Sequence, residues 1–285
     1  MHITPAPIPL PDMPHNMTKQ QQVFGLCYNA AEDTLVPARH LLNNQMIDCA
    51  HDVEHVTAVL NGGKPNGFSN KELPYTAHAV QSCASMVAAV QAAMTLAPIV
   101  FSPTSGFHHA GFDFCGGYCT FNGLIMAILH NGLQRHKVAI IDGDGHWGDG
   151  TQDLIDFHKL SNVNHVSLSH SSVMGNPDFA LDAIKEALEL RPDLVIYQAG
   201  ADAHALDPYG AGYLSDIDWD ARDALIFSTC KAYGIPVVFN LAGGYNGNKT
   251  LNLHNRTFLT ALRVYEPGSS RLLHVQDRQL GSSGL

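Results

Sequence analysis

Short apolar runs rich in valine and isoleucine recur along this chain, and between them lie stretches long enough to be helices. The runs cover residues 98–102, 138–141, 165–169, 194–198 and 236–241. Runs of that length without polar alternation suit strands covered on both faces, which is the environment of parallel sheets. Helical patterns fall at 121–134, 178–189, 216–233 and 251–265. The alternation predicts an α/β three-layer α/β/α sandwich with a mainly parallel sheet. Between Val23 and Leu262 there is no internal repeat, low-complexity linker or charge block. Residues 1–285 are therefore expected to form a single domain, with 1–22 a variable N-terminal segment and 266–285 a C-terminal tail.

Charge narrows the partners. With 16 Lys and Arg against 26 Asp and Glu, the formal charge is −10, which gives no electrostatic reason to bind nucleic-acid phosphates and suits a cationic substrate better. The six cysteines are scattered and form no Cys-x-x-Cys pair, so they read as reduced thiols in a cytoplasmic protein. Residues 1–15 are proline-rich and lack a basic region followed by an apolar stretch, so no signal peptide is expected. The longest apolar region, 86–101, is broken by Gln91, Thr95 and Pro98, which predicts no membrane span.

Four polar, glycine-containing segments fall just past the C-terminal ends of the expected strands, where open α/β sheets bind ligands. They are Ser105-Gly-Phe-His-His-Ala-Gly111, Asp142-Gly-Asp-Gly-His-Trp-Gly-Asp-Gly150, Ala199-Gly-Ala-Asp-Ala-His204 and Leu241-Ala-Gly-Gly-Tyr245. Asp144 and His146 stand two apart, a spacing that in extended chain sends both side chains to one side. With Asp202 from another strand end they would make a three-ligand site with open positions, the pattern of a catalytic metal. The plainer readings are an acidic turn or a calcium loop. An EF-hand would need Gly where Trp147 stands and Glu where Asp153 stands, and a phosphate loop would need Gly-Lys-Ser/Thr after the glycines. Alone, His108-His109 is a pair in a chain with 17 histidines, and Gly243-Gly244-Tyr245 is a turn. Their conjunction, in order and each at a strand end, is what points to a hydrolytic site.

Those segments resemble the motifs of the histone deacetylase and acetylpolyamine amidohydrolase family. The run Gly106-Phe-His-His-Ala-Gly-Phe-Asp-Phe-Cys-Gly-Gly-Tyr-Cys-Thr-Phe-Asn122 is similar to its tandem-histidine segment, above all that of the bacterial, class II and polyamine enzymes. Ile141-Asp-Gly-Asp-Gly-His-Trp-Gly-Asp-Gly-Thr-Gln152 resembles its Asp-x-Asp-x-His segment, Gln198-Ala-Gly-Ala-Asp-Ala-His-Ala-Leu-Asp-Pro208 its third-ligand segment, and Ala242-Gly-Gly-Tyr245 its tyrosine segment. The likeness runs from about Pro98 to Leu262. It implies an arginase/deacetylase-like fold and zinc or iron(II) on Asp144, His146 and Asp202. It also implies a tandem pair His108 and His109 supported by Asp142 and Asp149, and Tyr245 on the substrate carbonyl. Asp142, Asp144, His146, Ser167 and Leu168 match a structural potassium site, mostly through backbone carbonyls. Tyr118, with Gly117 beside it, matches the wall of the substrate tunnel. Trp147 stands where a histidine is usual, Gly123 where an asparagine is common, and residues 28–37 lack the family's His-Pro-Glu stretch.

The expected activity is hydrolysis of a linear acyl-amine, an acyl-lysine or an acetylpolyamine, by metal-activated water. His109 would be the general base, Tyr245 with the metal would stabilise the oxyanion, and the amine would be protonated by His109 or helped by His108. The acid limb of the rate is expected near or somewhat above the unperturbed histidine value of about 6.5, raised by Asp149. Two alternatives stand beside this: an arginase-like ureohydrolase with two manganese ions, and a catalytically idle scaffold or binding protein that keeps the fold. Residues alone leave the acyl-chain length and the oligomeric state open.

Overall fold

The computed structural model describes residues 1–9, 12–29, 33–37, 44–169, 175–210 and 212–269. Parallel pairing is universal among its strands. Seven of them, β1 (His2–Ile3), β2 (Thr34–Leu35), β3 (Ile99–Phe101), β4 (Val138–Asp142), β5 (Val163–Ser167), β6 (Leu194–Gln198) and β7 (Val237–Asn240), form one sheet in the order β2-β1-β3-β7-β6-β4-β5. The five longest lie within three residues of the apolar runs read from sequence, and the sheet is wholly rather than mainly parallel.

The helices are α1 (His15–Cys27), α2 (Asn44–Asp48), α3 (Val53–Leu60), α4 (Leu73–Thr95), α5 (Gly123–His130), α6 (Asp149–Phe157), α7 (Pro177–Glu189), α8 (Asp216–Tyr233) and α9 (Gly247–Tyr265). Side chains of a strand alternate between faces, and the two cores divide accordingly. Val100, Val138, Ile140, Leu194, Ile196 and Val238 pack with Val87 and Val90 of α4, Ile125 of α5 and Leu154 of α6. Ile99, Phe101, Ala139, Ile141, Val195, Tyr197, Val237 and Phe239 pack on the other side with Val23 of α1, Ile184 of α7, Phe227 of α8 and Phe258 of α9. The apolar runs are unbroken because both faces are covered. Where a helix begins, local chemistry fixes it: Ser215 and Asp218 close a reciprocal capping box on α8, and Gly234, at φ +68°, ends it.

Two differences from the sequence reading bear on function. Residues 1–22, set apart as a variable segment, contribute β1 to the sheet and most of α1 to one layer. Residues 149–157, not among the helical patterns read from sequence, form α6. The tail 270–285 lies outside the described residues.

Candidate active site

The four motif segments leave the C-terminal ends of β3, β4, β6 and β7, all on one edge of the sheet. The loop after β3 carries the tandem histidines. The His108 Nδ1 lies 2.9 Å from Asp142 Oδ2, on the last residue of β4, and the His109 Nδ1 lies 2.6 Å from Asp149 Oδ1, on the first turn of α6. Each carboxylate fixes one ring nitrogen and leaves Nε2 as the working atom. The rings lie 4.0 Å apart, centroid to centroid. Gly117, at φ +52°, passes so close that an added Cβ would meet His109 Cδ2 at 2.5 Å.

The two imidazoles are driven apart. Burial opposes the charged form of His108, but Asp144 and Asp142 more than offset it and lift the group to about 9. Burial and the neighbouring His108 hold His109 below its ordinary value, against the raising effect of Asp149. Asp149 raises His109 as expected, but desolvation and His108 outweigh that one half-exposed carboxylate.

Asp144, His146 and Asp202 offer ligand atoms that all lie within 4.8 Å of one another. Asp144 and Asp202 are fully buried; their free oxygens are aimed by backbone amides, Gly243 N donating to Asp144 Oδ2 at 2.7 Å and Gly145 N to Asp202 Oδ1 at 2.8 Å. His146 Nδ1 lies 3.0 Å from Asp202 Oδ2 and 3.2 Å from Asp144 Oδ1. Burial and the charge of Asp144 push Asp202 up to about 7, and the same two carboxylates lift His146 to about 11. A pair of buried carboxylates beside an imidazole favours a cation among them. Two oxygen donors and one nitrogen, the donors brought together among the described residues, fit a divalent metal with open positions. Gly243 is part of this fit, since a Cβ there would stand 2.2 Å from Asp202 Oδ2 and 2.6 Å from Asp144 Oδ2. Among the described residues this is the sole group of three or more such donors.

Tyr245 faces the same pocket as His108, Asp144, Gly117 and Tyr118. Its backbone N donates to Asp207 Oδ2 at 2.6 Å, its ring lies 5.8 Å from that of Tyr118, and burial keeps its phenol protonated. Tyr118 itself, at φ +64°, closes with Gly117 a tight turn between Gly116 and Cys119.

Of the residues matched to potassium, Asp142, Ser167 and Leu168 are neighbours. Asp142 and Ser167 are register partners across β4 and β5, and Leu168 N donates to the Asp142 carbonyl at 2.8 Å. The Leu168 carbonyl accepts the Tyr213 hydroxyl at 3.0 Å.

Three contributors had no motif to announce them. Lys19, in α1 and fully buried, donates through Nζ to the carbonyl of Ala242 at 2.6 Å and lies 3.4 Å from that of Gly244; burial pulls it down to about 8 although Asp202, Asp144 and Asp207 counter. His51 accepts from Asn122 N at 2.9 Å and donates to the Gly111 carbonyl at 2.7 Å, bracing the tandem-histidine loop; burial drops it to about 4. Phe68 lines the pocket and rests on Tyr118, 5.6 Å between centroids. A lysine in an otherwise amphipathic helix start, or a phenylalanine in a glycine-rich loop, carries no pattern that singles it out.

The family model of the histone deacetylase domain matches residues 14–177 and 178–261. The chain belongs to the histone deacetylase family and is an enzyme of it. An uncharacterized protein of Picosynechococcus sp. is 31% identical over 248 residues, covering 76% of this chain and 82% of its own length. Acetylpolyamine amidohydrolase 1 of Pseudomonas aeruginosa is 31% identical over 175 residues, 48% of either chain, so that match spans about half of that relative. The crystal structure of acetylpolyamine aminohydrolase from Burkholderia pseudomallei superposes with a TM-score of 0.70 at 19% identity, over 92% of this chain and 98% of that one, a likeness of fold.

Proposed function

We propose that the chain, working as one catalytic domain, is a metal-dependent amidohydrolase that removes an acetyl or related acyl group from a small cationic amine or an acyl-lysine. The observation that carries this reading is one pocket lined by His108, Asp144 and Tyr245, with His146 and Asp202 clustered on Asp144, His109 packed on His108, and Asp142 and Asp149 holding the two histidines. Zinc or iron(II) on the cluster would polarise the amide carbonyl and make the attacking water more acidic.

The residues then divide the proton work. His109, depressed and so neutral near pH 7, takes the water's proton at Nε2. The protonated His108, held by Asp142, supplies positive charge beside the developing oxyanion and is the group able to give a proton to the departing amine. Tyr245 donates its hydroxyl hydrogen bond to the oxyanion. Potassium bound by oxygens of Asp142, Asp144, His146, Ser167 and Leu168 would stiffen the segment between β4 and α6. Among the described residues no helix is long and apolar enough to cross a membrane and no cysteine forms a disulfide, which suits a cytoplasmic site of action.

Turnover of zinc-loaded and chelator-stripped protein on acetylpolyamines, acetyl-lysine peptides and longer acyl-lysines tests the reading. Metal-dependent hydrolysis of a small cationic acyl-amine, with kcat/KM falling as ionic strength rises because screening shortens electrostatic steering, is expected. Urea release from guanidino substrates, or no hydrolysis of any acyl-amine by the loaded protein, would refute it.

A further inference from the structure

Behind the metal segment lies a charged pair that the reaction scheme does not use. Arg222 and Asp223, adjacent on α8, are 1% and 0% exposed. A buried guanidinium and carboxylate are held only where every bond counts, because desolvating the pair costs as much as its attraction returns. Asp223 accepts from Arg222 Nε at 3.1 Å, from the Thr257 hydroxyl of α9 at 2.5 Å and from the Tyr197 hydroxyl of β6. The guanidinium lies 3.8 Å above the Trp219 ring. Its Nη1 then reaches out of this frame and donates to the carbonyl of Gly143 at 3.3 Å.

Gly143 is the link between Asp142, which holds His108, and Asp144, which belongs to the metal cluster. Its amide is already fixed, donating to the Gln198 carbonyl at 2.9 Å. With the carbonyl bonded as well, each of the two peptide units between the aspartates is held by one hydrogen bond. The oxygens matched to potassium leave out the Gly143 carbonyl. Arg222 takes it from the opposite side.

We infer that Arg222, anchored by Asp223, is a positioning residue for the metal site: it holds the Gly143 carbonyl and thereby sets the directions of Asp142 and Asp144. The inference rests on the amidohydrolase reading. It assigns a purpose to a cation that touches neither substrate nor metal. Lysine could not replace it, since a single ammonium cannot bond Asp223 and reach Gly143 through a rigid fork.

The test removes both charges together, Arg222→Met with Asp223→Asn, so that no buried ion is left alone. Wild type and variant are loaded with cobalt(II), and three quantities are read: thermal unfolding, cobalt affinity by chelator competition, and the visible absorption of bound cobalt. The expected result is a folded variant whose cobalt affinity falls by about 10- to 100-fold, the usual effect of losing a group that orients metal ligands. Its cobalt spectrum shifts, and kcat drops more than KM rises. Arg222→Lys, which keeps the charge and serves if the paired variant does not fold, should show the same spectral shift. An unchanged spectrum and affinity in a folded variant overturns the inference and leaves the pair a purely structural brace. A wild-type chain that binds no cobalt overturns the amidohydrolase reading instead, so the two failures are told apart.

Discussion

The loops that leave β4, β6 and β7 and the segments that precede β3 contribute to the same pocket by opposite means. The loops present polar atoms directly: Asp144, His146, Asp202 and Tyr245 face the place where chemistry would occur. The earlier segments act on backbone. Lys19 holds the carbonyls of Ala242 and Gly244, His51 bridges Asn122 and Gly111, and Phe68 supports Tyr118. Residues that meet a ligand are confined to few chemical types and fixed spacings. Those that hold a backbone in place need only arrive at the right point in space.

The largest difference between the two regions should appear on deleting a donor. Asp202→Ala or His146→Ala is expected to abolish metal binding and turnover while the far-ultraviolet dichroism of the sheet is kept. Full occupancy in both variants by metal analysis would show the wrong donors have been chosen. Next in size, Tyr245→Phe should lower kcat on the order of 10²-fold or more with folding unchanged, and an undiminished kcat in steady-state assays would remove the tyrosine from the oxyanion.

Lys19→Met crosses the comparison. It strips the donor from two buried carbonyls and should destabilise the fold by about 1–3 kcal/mol, read by urea unfolding. Its effect on kcat should be smaller than that of Tyr245→Phe. An equal loss of kcat without loss of stability would move Lys19 among the groups that meet substrate.

The smallest effect is in pH. Because burial and His108 depress His109, the acid limb of kcat/KM should lie below the ordinary histidine value. Asp149 raises His109, so Asp149→Asn should carry the limb lower still, neutral imidazole persisting to more acidic pH. A limb that moves to higher pH, measured across a profile of kcat/KM, would place the base elsewhere.

The sheet was legible because its strands are buried on both faces and so uninterrupted in sequence. Runs such as Leu194–Gln198 need no neighbour to be recognised. The short strands His2–Ile3 and Thr34–Leu35 are two residues each and exist only through pairing, so no pattern could reveal them. In the site, Asp144, His146 and Asp202 were legible through their spacing and the conjunction of four polar segments at strand ends. Lys19 was not, for its burial follows from α1 lying against α9 and the loop after β7. The depression of His109 was not legible either, since it depends on a second imidazole 4.0 Å away and on a wall of buried side chains.

The bare backbone at Gly243 has a consequence of its own. Most metal centres are silenced by taking a ligand away. Here one carbon added at position 243 would stand 2.2 Å from Asp202 Oδ2 and 2.6 Å from Asp144 Oδ2, inside the space the donors share. Such a methyl would act as a permanent competitor of the ion, leaving every donor and every charge in the chain. The site can thus be closed by addition alone, and the glycine there is as much a statement about what must stay empty as the aspartates are about what must be filled.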